Sequence, residues 1–305
     1  MHFQLHNRHL PYSLIVSVAL AACATTQNAA PAPVPTVAIT PTVVATGEDV
    51  DPPPTPQPQP EATALPSEIV DDHGIRMLLV PAGEFIMGSD QGFHDEQPVH
   101  TVYLDAFYVD IYEVTNASYV ACVEAGACQP PRFTGSRQRY DYFWEAEFAN
   151  YPAVYLSWYD ADTYCTWRGA RLPTEAEWEK AASGTDGRTY AWGNDKPNPT
   201  LTNYAGSNTW DPVEVGSHPV GVSPYGLHDM TGNVYEWVSD WYGEDYYHVS
   251  PAANPTGPAS GTWRVTKGGS FWNWDYRLRI ANRNNTYLPP DSVHWDGGAR
   301  CARSP

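Results

Sequence analysis

The stretch Tyr225-Gly226-Leu227-His228-Asp229-Met230-Thr231-Gly232-Asn233-Val234-Tyr235-Glu236-Trp237 carries the reading of this chain. It belongs to a long segment beyond Gly184 made mostly of Gly, Asn, Asp, Pro and Ser set between aromatic residues. These residues interrupt the backbone too often for long regular elements, so the segment predicts irregular loops with a few strands.

Working toward the N-terminus, regular elements become legible. Thr174, with Glu177 three residues on and Pro173 before it, is a capping box for a short helix through Trp178 to about Ala182. Ser157 and Asp160 repeat the device, and Trp158, Ala161, Tyr164, Cys165 and Trp167 suit one face of the helix that follows. Thr115 caps a third helix running to about Glu124, which Gly126 ends. Ahead of these, Ile75 to Val80 and Pro81 to Ser89 read as two short strands around a Pro/Gly turn, and His100 to Val109 alternates as a strand region with one wet face.

Composition sets the limits of the domain. All 12 Trp lie between Trp144 and Trp295, so the large buried surfaces belong to residues 68–305, about the size of one large domain. A chain rich in Trp, Tyr and Gly and poor in Lys suits turns and short elements better than a helical bundle. The formal net charge of -18 argues against nucleic acid as a partner, because phosphate binding needs a basic face. Acidic excess suits a solvated extracellular surface or sites for divalent cations. The 10 His include no His-x-x-x-His pair beside a Glu, and the sequence holds no Gly-x-Ser-x-Gly elbow and no phosphate loop. A Ser, a His and an Asp brought together only by the fold remain open at this stage.

Six segments, in one order over nearly the whole domain, resemble the formylglycine-generating-enzyme (sulfatase-modifying factor) family. They are Pro81 to Ser89, Glu113 to Asn116, Arg171 to Glu179, Tyr225 to Trp237, Lys267-Gly268-Gly269-Ser270, and Gly298-Ala299-Arg300-Cys301. The resemblance implies that family's variant of the C-type lectin fold, which agrees with the α+β domain of low regular structure expected above. Fold alone leaves function open.

The same resemblance assigns roles to single residues. Of the 5 cysteines, Cys23 lies outside the domain, and the other four allow three pairings. Cys122 and Cys128 flank Gly126 closely enough to close a small ring, and the family implies a disulfide between Cys165 and Cys301. The family's oxidases carry a copper-binding cysteine pair three and eight residues after the serine of Gly-Gly-Ser, where this chain has Asn273 and Leu278. Asn cannot supply the soft thiolate that holds Cu(I), so no catalytic residue and no copper are expected. The family's calcium sites fall on Asp229, Gly232, Val234 and Glu236, two carboxylates and two carbonyls, with Asn203 and the carbonyl of Tyr204 as a second candidate. Ser270, Trp272, Asn273, Trp274, Tyr276 and Trp295, crowded together with Tyr287, Asp275, Asn282, Asn284 and Asn285, correspond to the stretch that lines the family's cleft. Aromatic faces beside amide handles suit a peptide or glycan ligand. A binding domain without catalysis is therefore the expectation, with an oxidase or another activity in the same cleft as the alternative.

The N-terminal residues predict how the domain is held. Arg8, then an apolar run from Leu14 to Leu20, then Leu20-Ala21-Ala22-Cys23 reads as a signal peptide over residues 1–22. Its core is shorter than the roughly 20 apolar residues of a membrane span. The last four residues resemble the bacterial lipobox, which implies acylation of Cys23 and export to the membrane, cell surface or periplasm. From residue 24 to residue 66 there is no Lys, Arg or aromatic residue, and prolines dominate. Such a segment buries too little to offset backbone entropy and predicts a disordered, semi-rigid tether over residues 23–67. Cys23→Ala should move the protein from the membrane fraction to the soluble fraction. Retention of the variant in washed membranes would refute the anchor.

Overall fold

Three capping boxes start the three helices of the structure, a computed structural model that describes residues 64–284 and 288–305. Cys23, the Pro-rich segment up to residue 63, Asn285 and Tyr287 lie outside the described residues. Helix α1 (Asn116–Glu124) begins at Thr115, whose hydroxyl accepts from the Ser118 amide while the Ser118 hydroxyl bonds back. Helix α2 (Trp158–Trp167) begins at Ser157, reciprocally bonded to Asp160, and α3 (Glu175–Ser183) at Thr174, reciprocally bonded to Glu177. Each box satisfies amide groups that the first helical turn leaves without partners.

The strands are short and form three sheets. β1 (Glu68–Val70), β2 (Arg76–Val80), β5 (Phe107–Asp110) and β9 (Ala302–Arg303) make an antiparallel sheet in the order β1-β2-β5-β9. β3 (Gly83–Met87) and β4 (His100–Leu104) form a separate antiparallel pair. β6 (Tyr235–Trp241) lies between β7 (Arg264–Lys267), antiparallel to it, and β8 (Gly297–Gly298), parallel to it. The expected strand over His100 to Val109 is thus two strands in different sheets. Its break has a distant cause: Asn254 accepts from the Asp105 amide and donates to the Asp105 carboxylate, fixing a corner between β4 and β5.

Two larger apolar clusters fill most of the space between these elements, with a smaller one of Tyr142, Val154, Val234 and Phe271 beside them. Trp178 of α3 is fully buried among Val80, Phe85, Val102, Val238 and Val265. Around α1 and α2, Tyr119 stacks on Tyr164 beside Trp237 and the disulfides Cys122–Cys128 and Cys165–Cys301, with Cα separations of 5.3 and 5.5 Å. The second disulfide joins residues 136 apart, a closure worth roughly 4 to 5 kcal/mol in a chain-entropy account. Of the expected α2 face, Ala161, Tyr164 and Cys165 are buried, while Trp158 and Trp167 pack at the margin.

Charged groups are also deep in the molecule. Arg168 holds Asp110 through both guanidinium nitrogens and Asp71 through Nε. Arg283 clasps Glu175, and Lys267 reaches Glu179 at 2.9 Å. Asp240 accepts from the Glu175 amide at the start of α3, is buried, and makes no ion pair among the described residues. Burial, then the nearby Glu175 charge, pushes its carboxyl up to about 7. Folded protein therefore retains a proton that the unfolded chain releases, and stability falls as pH rises toward that value. Between about pH 5 and about pH 8, wild type should lose roughly 2 to 4 kcal/mol more than Asp240→Asn, which keeps the acceptor and cannot ionise. Denaturant titrations of both proteins at the two pH values measure the difference, and parallel curves would refute the assignment.

Candidate functional site

A cavity of about 550 Å³ opens beside the end of β6, an ordinary size for a ligand site. Tyr235 and Trp237 of β6 and Gly297 of β8 reach its inner wall. Trp210, Trp272, Trp274, Tyr276 and Trp295 supply aromatic faces, and Asn273, Arg277, Asn284, His294 and Asp296 supply polar groups. Trp272 stands nearly perpendicular to Trp295, with ring centres 5.3 Å apart, and edge-on to Trp210 at 5.0 Å. Trp272, Trp274 and Tyr276 are exposed, so the rings form an open wall and not a closed core. The Arg137 guanidinium lies 3.8 Å over Trp272 and 5.6 Å from Trp295.

The backbone that carries these rings is set by the Gly-Gly-Ser turn. Gly269 has φ +73°, and a β-carbon there would come within 2.9 Å of the Arg277 carbonyl and 2.7 Å of the Leu278 side chain. Asn273 accepts from the Ser270 amide and hydroxyl, both at 2.9 Å, which closes the turn. Ser270 itself is fully buried beneath the cavity and is not among its wall residues. Its hydroxyl lies 2.7 Å from Asp296 Oδ2, while Asp296 Oδ1 is 4.0 Å from His294 Nδ1. A Ser, an Asp and a His thus do converge, but the carboxylate lies between the other two. A nucleophilic serine needs histidine as its direct partner to take the proton, and here the hydroxyl faces acceptors in a closed space. Burial raises the Asp296 carboxyl, and the Ser270 hydrogen bond and His294 oppose that rise.

The profile of the family described as "Sulfatase-modifying factor enzyme 1-like domain" matches residues 63–305. The chain belongs to this sulfatase-modifying factor family. Formylglycine-generating enzyme of Thermomonospora curvata is 34% identical over 290 residues, covering 75% of this chain and 93% of that protein. Its counterpart in Mus musculus is 36% identical over 281 residues, 74% of each chain. Serine/threonine-protein kinase pkn1 of Chlamydia caviae is 37% identical over 240 residues, 74% of this chain; the match spans 38% of the kinase. Among solved structures, PvdO from Pseudomonas aeruginosa superposes with a TM-score of 0.67 at 25% identity, covering 80% of this chain and all of that one. The fold is the α+β, loop-rich formylglycine-generating-enzyme variant of the C-type lectin fold expected from the sequence.

At the two positions where the family's oxidases are expected to carry cysteine, the side chains do structural work. Asn273 closes the Gly-Gly-Ser turn, and Leu278 is buried against Gly269. All four cysteines of the domain are taken up in the two disulfides.

The residues expected to hold calcium lie in a buried carboxylate cluster. Glu236 accepts from Arg300 through both oxygens at 2.7 Å, and its Oε2 also takes the Trp178 indole N–H at 2.7 Å. Asp229, at φ +57°, accepts the Gly216 amide at 2.6 Å. Glu113, which the sequence reading placed only in a motif, joins them by accepting from the Val234 amide and the Asn233 side chain. Burial, then the charges of Asp229 and Glu236, push the Glu113 carboxyl well up, and burial raises Asp229 as well. With Glu113 held toward its neutral form, two further carboxyls, Asp229 and Glu236, still face one guanidinium, and Glu236 Oε1 keeps a lone pair beyond its Arg300 bond. In charge and donor type the residues fit a hard cation. No group of three His, Cys, Asp or Glu side chains among the described residues is arranged to hold a metal ion, and the family set has only two carboxylates. Asn203 and Tyr204 have other work: the Asn203 amide bonds Asp211, Asn233 and Thr209, and the Tyr204 carbonyl accepts from Ser207.

Sequence reading missed Trp210, Arg277, His294 and Asp296 as cavity residues, and Arg137 over the Trp272 ring beside them. Arg137 and Trp210 come from loops far from Gly-Gly-Ser in sequence, and no local pattern marks them. Asp296, next to Trp295 at the turn into β8, was within reach of the motif and could have been included.

Proposed function

We propose that this domain is a non-catalytic member of the sulfatase-modifying factor family that binds a peptide or glycan in the aromatic cleft, held at a membrane by a lipid on Cys23. The observation that carries the reading is the fate of the cysteines. Four are committed to disulfides and the fifth lies in the lipobox-like segment, so no thiol remains at Asn273 or Leu278 for Cu(I). The open wall of Trp272, Trp274, Tyr276 and Trp295 does not depend on those thiols and supports a binding role.

Calcium is proposed as a structural ion at Asp229 and Glu236, with the carbonyls of Gly232 and Val234. It would offset the carboxylate excess that Arg300 balances only in part. An ion that binds only the folded state stabilises it, by about 2.7 kcal/mol at a hundred times its dissociation constant. Chelation should lower the melting temperature by about 5 °C, and Asp229→Ala should abolish the difference between chelated and calcium-loaded protein. Melting curves indifferent to both chelator and calcium would remove the site.

The absence of oxidase activity is tested directly. A Cys-x-Pro-x-Arg peptide incubated with the purified protein, copper and reductant should keep its mass. Conversion of its cysteine to an aldehyde, seen by mass spectrometry and absent after heat inactivation, would establish the oxidase alternative.

A further inference from the structure

The charged residues around the cleft run against the character of the chain. The whole protein has 35 acidic and 17 basic residues. A second depression of about 480 Å³ is formed by residues 132–140 and Tyr155, and it includes the same Arg137 that lies over Trp272. Across the walls of the two cavities the charged residues are Arg132, Arg137, Arg139, Arg277 and one acid, Asp296. Arg139 is paired with Asp211. Arg137 is exposed, makes no ion pair among the described residues and donates only to the Trp210 carbonyl at 3.4 Å. Arg277 points its Nη1 at Asn284 from the cavity wall. Asp296 is buried and tied to Ser270, and Asp275, exposed between Trp274 and Tyr276, stands at the rim outside the two walls.

The wall chemistry also distinguishes between kinds of chain molecule. β6, the strand beneath the cavity, has neighbours on both sides, so it offers no free edge for an added peptide strand. What the wall offers instead is flat indole faces at steep angles to one another, set among polar side chains of which Asn284 is bonded to Thr266 and Asn273 to Ser270. Hydroxylated rings, with apolar faces and polar edges, match that alternation.

We propose that the cleft takes an anionic oligosaccharide, its rings stacked on Trp272, Trp274 and Trp295 and its carboxylate or sulfate groups met by Arg137 and Arg277. This rests on the cleft being a binding site and adds the charge and class of its ligand. Guanidinium to carboxylate or sulfate is a paired, directional contact, and an exposed one weakens as salt rises.

Tryptophan fluorescence of the full chain, titrated with oligogalacturonate, a chondroitin sulfate oligosaccharide, a neutral malto-oligosaccharide and a hexaglutamate peptide, tests the proposal. Either anionic sugar should perturb the emission and bind at least tenfold more tightly than the neutral one, with affinity falling between about 50 mM and about 500 mM salt. Arg137→Gln should weaken that binding about tenfold with no change in melting temperature, since the side chain is exposed, and Trp272→Ala should weaken every sugar. Tighter binding of hexaglutamate, equal binding of the neutral sugar, or an Arg137→Gln variant with unchanged affinity would each overturn the anionic-sugar inference. Such results, if lost in Trp272→Ala, would leave the cleft as a binding site. No response to any of the four ligands would overturn the inference as well.

Discussion

The fold depends on one buried ion pair, Glu236 with Arg300. Arg300 is fully enclosed and uses its remaining nitrogens on the carbonyls of Asp110, Ile111 and His228, while Glu236 also holds the Trp178 indole. A single contact therefore ties β6, the end of β5, the segment before β6, helix α3 and the C-terminal residues. Two charges removed from water cost several kcal/mol each, and only full hydrogen bonding compensates them. Here nearly every donor and acceptor is used. Next in the chain, the Cys301 amide donates to Asp110, whose carboxylate is gripped by Arg168, and the Cys301 sulfur is bound to α2. A loop-rich domain with strands of two to seven residues has few ladders to hold it, and this polar lattice takes over part of that work.

That arrangement explains what could and could not be read from residues. Helix starts were legible because capping is local: Ser157 and Thr174 carry their box partners three residues on, Thr115 is a cap residue by itself, and each begins a helix where expected. The strand over His100 to Val109 was misread because its break is imposed by Asn254, 149 residues from Asp105. Glu113 gave the same difficulty in the site. It stands in a recognisable motif, yet its tie to Val234 and Asn233 spans about 120 residues and has no sequence period. The cleft was legible in its aromatic half, which is contiguous from Trp272 to Tyr276. Its cationic half, brought by Arg137, was not.

The molecule separates its charges into two settings. In the interior, Arg168, Arg283, Arg300 and Lys267 are all bound to carboxylates and are held rigidly by surrounding apolar clusters. At the cleft, Arg137 rests on an indole face in contact with water, where its pairing energy in the free protein is small and its charge is open to a ligand. The same residue type thus serves as scaffold where a carboxylate accompanies it and, in the ligand proposal, as recognition element where none does.

The positions of Asn273 and Leu278 show how the stretch after Gly-Gly-Ser keeps its shape without cysteine. A thiol pair used for metal binding must be exposed enough to reach the metal and is not needed to close a turn or fill a core. Asn273 gains the Ser270 turn contacts, and Leu278 fills the space that Gly269 leaves beside the backbone. Both substituents stabilise the stretch that presents Trp272, Trp274 and Tyr276. The aromatic wall therefore does not depend on thiols at these positions, and the Gly-Gly-Ser turn sets the backbone path that presents it, whatever chemistry is done beside it.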